Sequence, residues 1–83
     1  MQDGFEQCVR VPDFRSEHPI QFVGWLVSDQ SLVIPGERIA EIMCDGSVVH
    51  VEATQAGVIW LDHSSVESLV KPGDLLARIR SQK

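Results

Sequence analysis

The sequence predicts an all-β domain folded as a compact sandwich or flattened barrel of two sheets, and three observations carry that reading. First, no window of a dozen residues keeps the i, i+3, i+4, i+7 apolar spacing of an amphipathic helix, and glycine or proline interrupts nearly every stretch that would attempt one. Second, the apolar residues fall in short, evenly spaced runs separated by turn residues. Third, the chain repeats itself: Ser31-Leu32-Val33-Ile34-Pro35-Gly36-Glu37-Arg38-Ile39-Ala40-Glu41-Ile42 aligns without a gap on Ser68-Leu69-Val70-Lys71-Pro72-Gly73-Asp74-Leu75-Leu76-Ala77-Arg78-Ile79, with seven identities in twelve. A repeat of this kind makes each half one supersecondary unit and implies sheets related by an internal pseudo-dyad.

Taken in order, strands are expected at 9–11 and 20–27, a short one at 32–33, then 38–44, 47–53, 57–61, a second short one at 69–70, and 75–80. In each half Pro-Gly sets a turn before an alternating strand, at Pro35-Gly36 and at Pro72-Gly73, because proline fixes φ and glycine accepts positive φ. Gly24-Trp25-Leu26-Val27 and Gly57-Val58-Ile59-Trp60-Leu61 precede these turns at similar positions, which suggests related packing roles for Trp25 and Trp60. The polar segment 62–67 reads as a loop, and Gly57 reads as the bend between the halves. Residues 8–80 form the domain, with loose ends at 1–7 and 81–83.

The centre of the chain is the most specific. Asp45-Gly46 lies between two alternating runs, and a type I′ turn needs positive φ at both central residues, which Asp-Gly supplies. A two-residue turn fixes the register, setting Cys44 opposite Ser47, Met43 opposite Val48, Ile42 opposite Val49, Glu41 opposite His50 and Ala40 opposite Val51. Ala40, Ile42, Val49, Val51 and Ala53 then face the core, and Glu41, Met43, Val48, His50 and Glu52 face outward.

Composition narrows the function. The 83 residues suffice for one small core. A net charge of −5 is the wrong sign for a phosphate-backbone binder and for an anionic bilayer surface, so nucleic acid and membrane are not expected partners. No basic segment leads into a long apolar run at Met1, which points to a cytoplasmic protein. Cys8 and Cys44 are too few for a disulfide scaffold and read as reduced thiols.

Over 9–79 these residues resemble the biotinyl/lipoyl attachment domain, the swinging-arm module of 2-oxo acid dehydrogenase acyltransferases and biotin-dependent carboxylases. Val11-Pro12 looks like its opening strand, Gly24-Trp25-Leu26-Val27 the strand before the first turn, 35–42 the strand climbing to the hairpin, Ala56-Gly57-Val58-Ile59 the strand leaving the midpoint and 71–79 the last strand. The resemblance implies a flattened eight-stranded barrel of two four-stranded antiparallel sheets, the lipoyl/biotinyl hammerhead barrel, with a modified lysine at the tip of the central hairpin. Here the tip departs from the family. Where lipoyl domains read Asp-Lys-Ala, this chain has Asp45, Gly46 and Ser47, so the amine that would carry lipoate or biotin is missing, and the Met-Lys-Met of biotinyl domains is absent too. The only lysines are Lys71 and Lys83, and by the repeat Lys71 matches Ile34 rather than the tip. Gln30 and the longer loop after Asp62 are further departures, at turns where the family often has glycine. No cofactor is therefore expected, although lipoyl or biotinyl attachment is what the family implies.

Other chemistry finds little support in the sequence. Glu41 opposite His50 is the arrangement of an exposed cross-strand salt link. His18, His50 and His63 with Cys8 and Cys44 lack the paired spacing of a zinc site. Cys44 has a carboxylate beside it rather than the basic neighbour that activates a thiol, which argues against reactivity. Ser16, Ser64 and Ser65 have no nucleophile elbow, and the six glycines form no phosphate cradle.

The expected function is a non-catalytic, carrier-like docking or assembly module derived from an acyltransferase component. Its expected partners are proteins, among them 2-oxo acid dehydrogenase or carboxylase subunits. Two alternatives are a genuine carrier whose lysine was lost by mutation and a structural segment of a larger protein such as a membrane-fusion adaptor.

Overall fold

A computed structural model describes residues 6–15, 17–62 and 68–81. It contains eight strands and, among these residues, no helix: β1 Glu6–Arg10, β2 Ile20–Trp25, β3 Leu32–Val33, β4 Arg38–Cys44, β5 Ser47–Glu52, β6 Gly57–Leu61, β7 Leu69–Val70 and β8 Leu75–Arg80. They form two four-stranded antiparallel sheets, β1-β8-β6-β3 and β5-β4-β2-β7. Exchanging β1 with β5, β8 with β4, β6 with β2 and β3 with β7 converts one order into the other, so the sequence repeat is a repeat of whole sheets. Ser16, His63, Ser64 and Ser65, and residues 1–5 and 82–83 of the ends expected to be loose, lie outside the described residues.

Three strands differ at their ends from the sequence reading. β1 starts at Glu6 and stops at Arg10, with Glu6 opposite Arg80 and Gln7 opposite Ile79, so the N-terminal boundary of ordered pairing precedes the expected one. Val11 leaves the ladder because Pro12 follows it and because its main chain is engaged by the second Pro-Gly turn, donating to the Asp74 carbonyl and accepting from the Gly73 amide, each at 2.9 Å. β2 ends at Trp25 and β5 at Glu52, beyond which Leu26 donates to the Ile39 carbonyl, and Ala53 donates to the Glu37 carbonyl and accepts from the Gly36 amide.

The two Pro-Gly turns match bond for bond. In the first, the Glu37 amide donates to the Ile34 carbonyl (3.1 Å) and the Glu37 carboxylate accepts from the Ile34 amide (3.1 Å). In the second, Asp74 and Lys71 do the same at 3.0 and 2.8 Å. Gly36 at φ +85° and Gly73 at φ +90° give each turn the type II form that proline followed by glycine favours.

Each half also carries the same bulge. Between Arg38 and Ala40 the β4–β5 register slips past Ile39, and between Val9 and Arg10 the β1–β8 register slips past Leu76. A bulge turns two successive side chains the same way, and Ile39, Ala40, Leu76 and Ala77 are all fully buried. They pack with Phe22, Val33, Ile42, Ile59 and Ile79 into a single core.

A second bulge corrects the reading of the tryptophans. In β2 the register slips past Val23, so Gly24 stands opposite Glu41 and Trp25 opposite Ala40. In the other half Trp60 is opposite Arg78 and Leu61 opposite Ala77. Since Glu41 and Ala40 correspond to Arg78 and Ala77 in the repeat, the counterpart of Trp25 is Leu61, and that of Trp60 is Gly24. One residue of slip reverses the face. Trp25 packs against the core with its ring 5.2 Å from that of Phe22, whereas Trp60 lies on the outer face, 39% exposed.

Gln30 holds φ +67°, a left-handed conformation that glycine adopts freely, while its amide donates to the Ile59 carbonyl at 2.7 Å. Relieving about 1–2 kcal/mol of side-chain crowding against about 0.5–1 kcal/mol of added chain entropy, Gln30→Gly is expected to stabilise the domain by about 0.5–1 kcal/mol. Urea unfolding at constant m-value measures this, and a lower midpoint would refute it.

Candidate functional site

The site singled out by the sequence is the β4–β5 tip. Asp45 at φ +56° and Gly46 at φ +78° form the two-residue type I′ turn, both exposed. The expected register follows, from Cys44 opposite Ser47 to Ala40 opposite Val51. Of the inward set, Ala40, Ile42, Val51 and Ala53 are buried and Val49 is half-buried; of the outward set, Val48 and Glu52 are exposed, and Glu41, Met43 and His50 are half-buried. Cys44 points inward and is buried, while Cys8 is exposed on β1, and both are free thiols.

Gly46 presents no side chain to solvent, and a Cβ built there would meet no atom within 4 Å. The tip therefore offers hydrogen-bonding main chain and the Asp45 carboxylate, with no amine. Lys71 stands beside the second Pro-Gly turn, and because Ile20 pairs with both Cys44 and Val70 it lies at the same end of this sheet as the tip, on the far side of β2.

What the sequence did not reveal is the flank of the tip. The segment between β1 and β2 brings His18 Nε2 to 3.6 Å from Asp45 Oδ1. With Pro19, Gln21, Met43 and Leu69 these residues border an open groove of about 620 Å³. Gln21, Met43 and Leu69 form one cross-strand row, which Val48 extends. Leu69 is 71% exposed and Val48 49%, so the row is a largely apolar strip, interrupted by Gln21, on the outside of this sheet. No local pattern links 18–19 to 45–46, because their proximity depends on the whole β2–β4 pairing.

Glu41 and His50 meet across the hairpin, Oε2 to Nε2 at 3.1 Å, each side chain about a third exposed. This is the cross-strand link the register required, and pairs so exposed contribute only about 0.2–1 kcal/mol. On the other sheet Arg78 donates to both oxygens of Asp62 (3.0 and 3.3 Å) and to Glu6 (3.3 Å), which Arg80 also approaches at 3.9 Å. The Asp62 hydrogen bonds and charge, helped by Glu6, hold the Arg78 guanidinium above its ordinary pKa. A base raised in the folded state supports folding until pH climbs through that raised value, so Arg78 itself introduces no pH dependence in the neutral range.

Among the described residues no three His, Cys, Asp or Glu side chains converge in a way that would hold a metal ion. A second crevice, of about 350 Å³, runs between the edge strands β1 and β5. With this geometry in hand, comparison of the chain with protein-family models and with curated proteins finds no match in either.

Proposed function

We propose that the protein is a lipoyl/biotinyl-type domain that has kept the carrier shape without its arm and serves as a non-catalytic docking or assembly module, derived from an acyltransferase component. The observation that supports this is the tip itself: a type I′ turn at the midpoint of a twofold-repeated pair of sheets, with glycine at the position where the family carries lysine. Acylation needs a primary amine projecting from an exposed turn, and Gly46 has none. Protein subunits of 2-oxo acid dehydrogenase or carboxylase assemblies are the proposed partners, met through the apolar strip and acidic groups beside the tip. Protein purified from its natural host is expected to have the intact mass of the unmodified chain. An added lipoyl or biotinyl mass on Lys71 or Lys83 would overturn the reading.

A second reading, a true carrier whose lysine was lost, is favoured by the open space around Gly46, where an added Cβ meets no atom within 4 Å and the cost of a side chain is the strain of φ +78° alone. Incubating Gly46→Lys with a lipoate ligase, lipoate and ATP separates the two. A mass gain equal to one lipoyl group supports the lost-lysine reading, and a folded variant that stays unmodified removes it.

A further inference from the structure

We propose that β5 is a strand-addition edge, which takes an extended partner segment carrying Lys or Arg on one face and small apolar side chains on the other. This rests on the docking reading and assigns it a surface.

Four sheet edges exist, and three are blunted. β3 and β7 are two residues long, and β1 carries Glu6 and Arg10 at its ends. Short strands and charges are the usual protection against unwanted pairing. β5 has neither. It is six residues, Ser47-Val48-Val49-His50-Val51-Glu52, with three valines, no proline or lysine, and Glu52 as its one carboxylate.

The hairpin phase fixes what this edge offers. Cys44 and Ser47 flank a two-residue turn and so exchange hydrogen bonds, and along an antiparallel pair such positions alternate with non-bonded ones. Ser47, Val49 and Val51 therefore direct their main chain at β4, in phase with Ala53, which donates to Glu37 and accepts from Gly36 (both 2.8 Å). Val48, His50 and Glu52 direct theirs at the open side, an array of three donors and three acceptors, and β5 is the terminal strand of its sheet.

The ligand's chemistry follows from the two faces. An added strand presents alternate side chains to opposite sides. On the outer side they meet Val48, His50 and Glu52, with Glu41 one strand further in, so a cation there is favoured. On the inner side they meet the 350 Å³ crevice, lined by Cys8, Val9, Arg10 and Pro12 on the β1 side and by His50, Val51, Glu52 and Thr54 on the β5 side, where Val9, Pro12 and Val51 supply the apolar contact for a small aliphatic group. Thr54 closes one end by donating to Gln7.

The test titrates the isotope-labelled intact protein with the blocked heptapeptide Lys-Val-Lys-Val-Lys-Val-Lys. Binding with a Kd below about 1 mM is expected, with slowed hydrogen exchange at the amides of Val48, His50 and Glu52. Val48→Pro deletes one outward donor without touching the β4 ladder and is expected to weaken binding at least tenfold, while Val48→Thr keeps it; Glu52→Lys is expected to weaken it by a similar factor. Should Val48→Pro fail to fold, N-methylation of alternate peptide residues tests the same bonds on unaltered protein. No binding, equal binding of the N-methylated peptide, or shifts spread over acidic residues without amide protection would overturn strand addition. A native partner cross-linked at the hairpin tip while the β5 amides still exchange freely would overturn it too and leave the docking reading standing, whereas a domain with no protein partner would remove both.

Discussion

Gly57→Ala is expected to cost about 3 kcal/mol or more, a large part of the stability of a domain this small, which at about 0.05–0.15 kcal/mol per residue is only several kcal/mol in total. Gly57 opens β6, buried, opposite Val33 in β3 and beside the end of β8. A Cβ at this position would sit 2.1 Å from the Arg80 carbonyl oxygen and 2.7 Å from its carbon, and both are main-chain atoms that move only if β8 moves. The φ of +155° adds strain. Gly36→Ala is the control, since it also meets a positive φ (+85°) but has open space around the new methyl, and about 1 kcal/mol is expected there. Urea unfolding of the two variants measures the difference. If Gly57→Ala lost no more than Gly36→Ala, β6 and β8 would not be packed as closely as described.

Phe22→Ala is the second large effect, expected at about 3–5 kcal/mol. The side chain is fully buried at the point where β2 bulges, and its ring meets that of Trp25 at 5.2 Å and 60°, a tilted pair that contributes about 0.5–1.5 kcal/mol beyond area. Its counterpart across the pseudo-dyad is Ile59, also fully buried, where Ile59→Val removes one methyl and is expected to cost about 0.5–1.5 kcal/mol. Thermal unfolding with near-ultraviolet circular dichroism follows both, because loss of the Phe22 ring also frees Trp25. A Phe22→Ala loss below that of Ile59→Val would mean that the core does not centre on this residue.

The parts of this architecture that were legible in the sequence are those governed by neighbours in the chain. Asp45-Gly46 needs only its own φ values to fix the hairpin, and from it the pairing of Glu41 with His50 follows. The Pro-Gly turns and the repeat fixed the strand count in the same local way. What was not legible depends on events between distant segments. The bulge past Val23 leaves no mark in the spacing of Phe22, Gly24 and Trp25, yet it decides that Trp25 faces inward and breaks the apparent kinship with Trp60. Gly57 reads as a bend until Arg80 is placed above it. For the candidate site, the tip was fully readable; the groove formed with His18, Pro19 and Leu69, and the crevice between β1 and β5, are products of the closed fold.

The twofold arrangement has a consequence for the order in which the molecule forms. Its two halves are alike as shapes and unlike as paths. β4 meets β5 across two residues, whereas the equivalent contact, Glu6 of β1 with Arg80 of β8, joins positions 74 apart in the chain. Closing a loop of that length forfeits about 3 kcal/mol more entropy than closing the short one, from the logarithmic dependence on length. The hairpin sheet therefore offers contacts early, and the sheet containing β1 and β8 completes last, with the slow rates typical of non-local pairing. Of two edges that a static picture makes equivalent, the one at β1 is the first to fray and the one at β5 is held from the start.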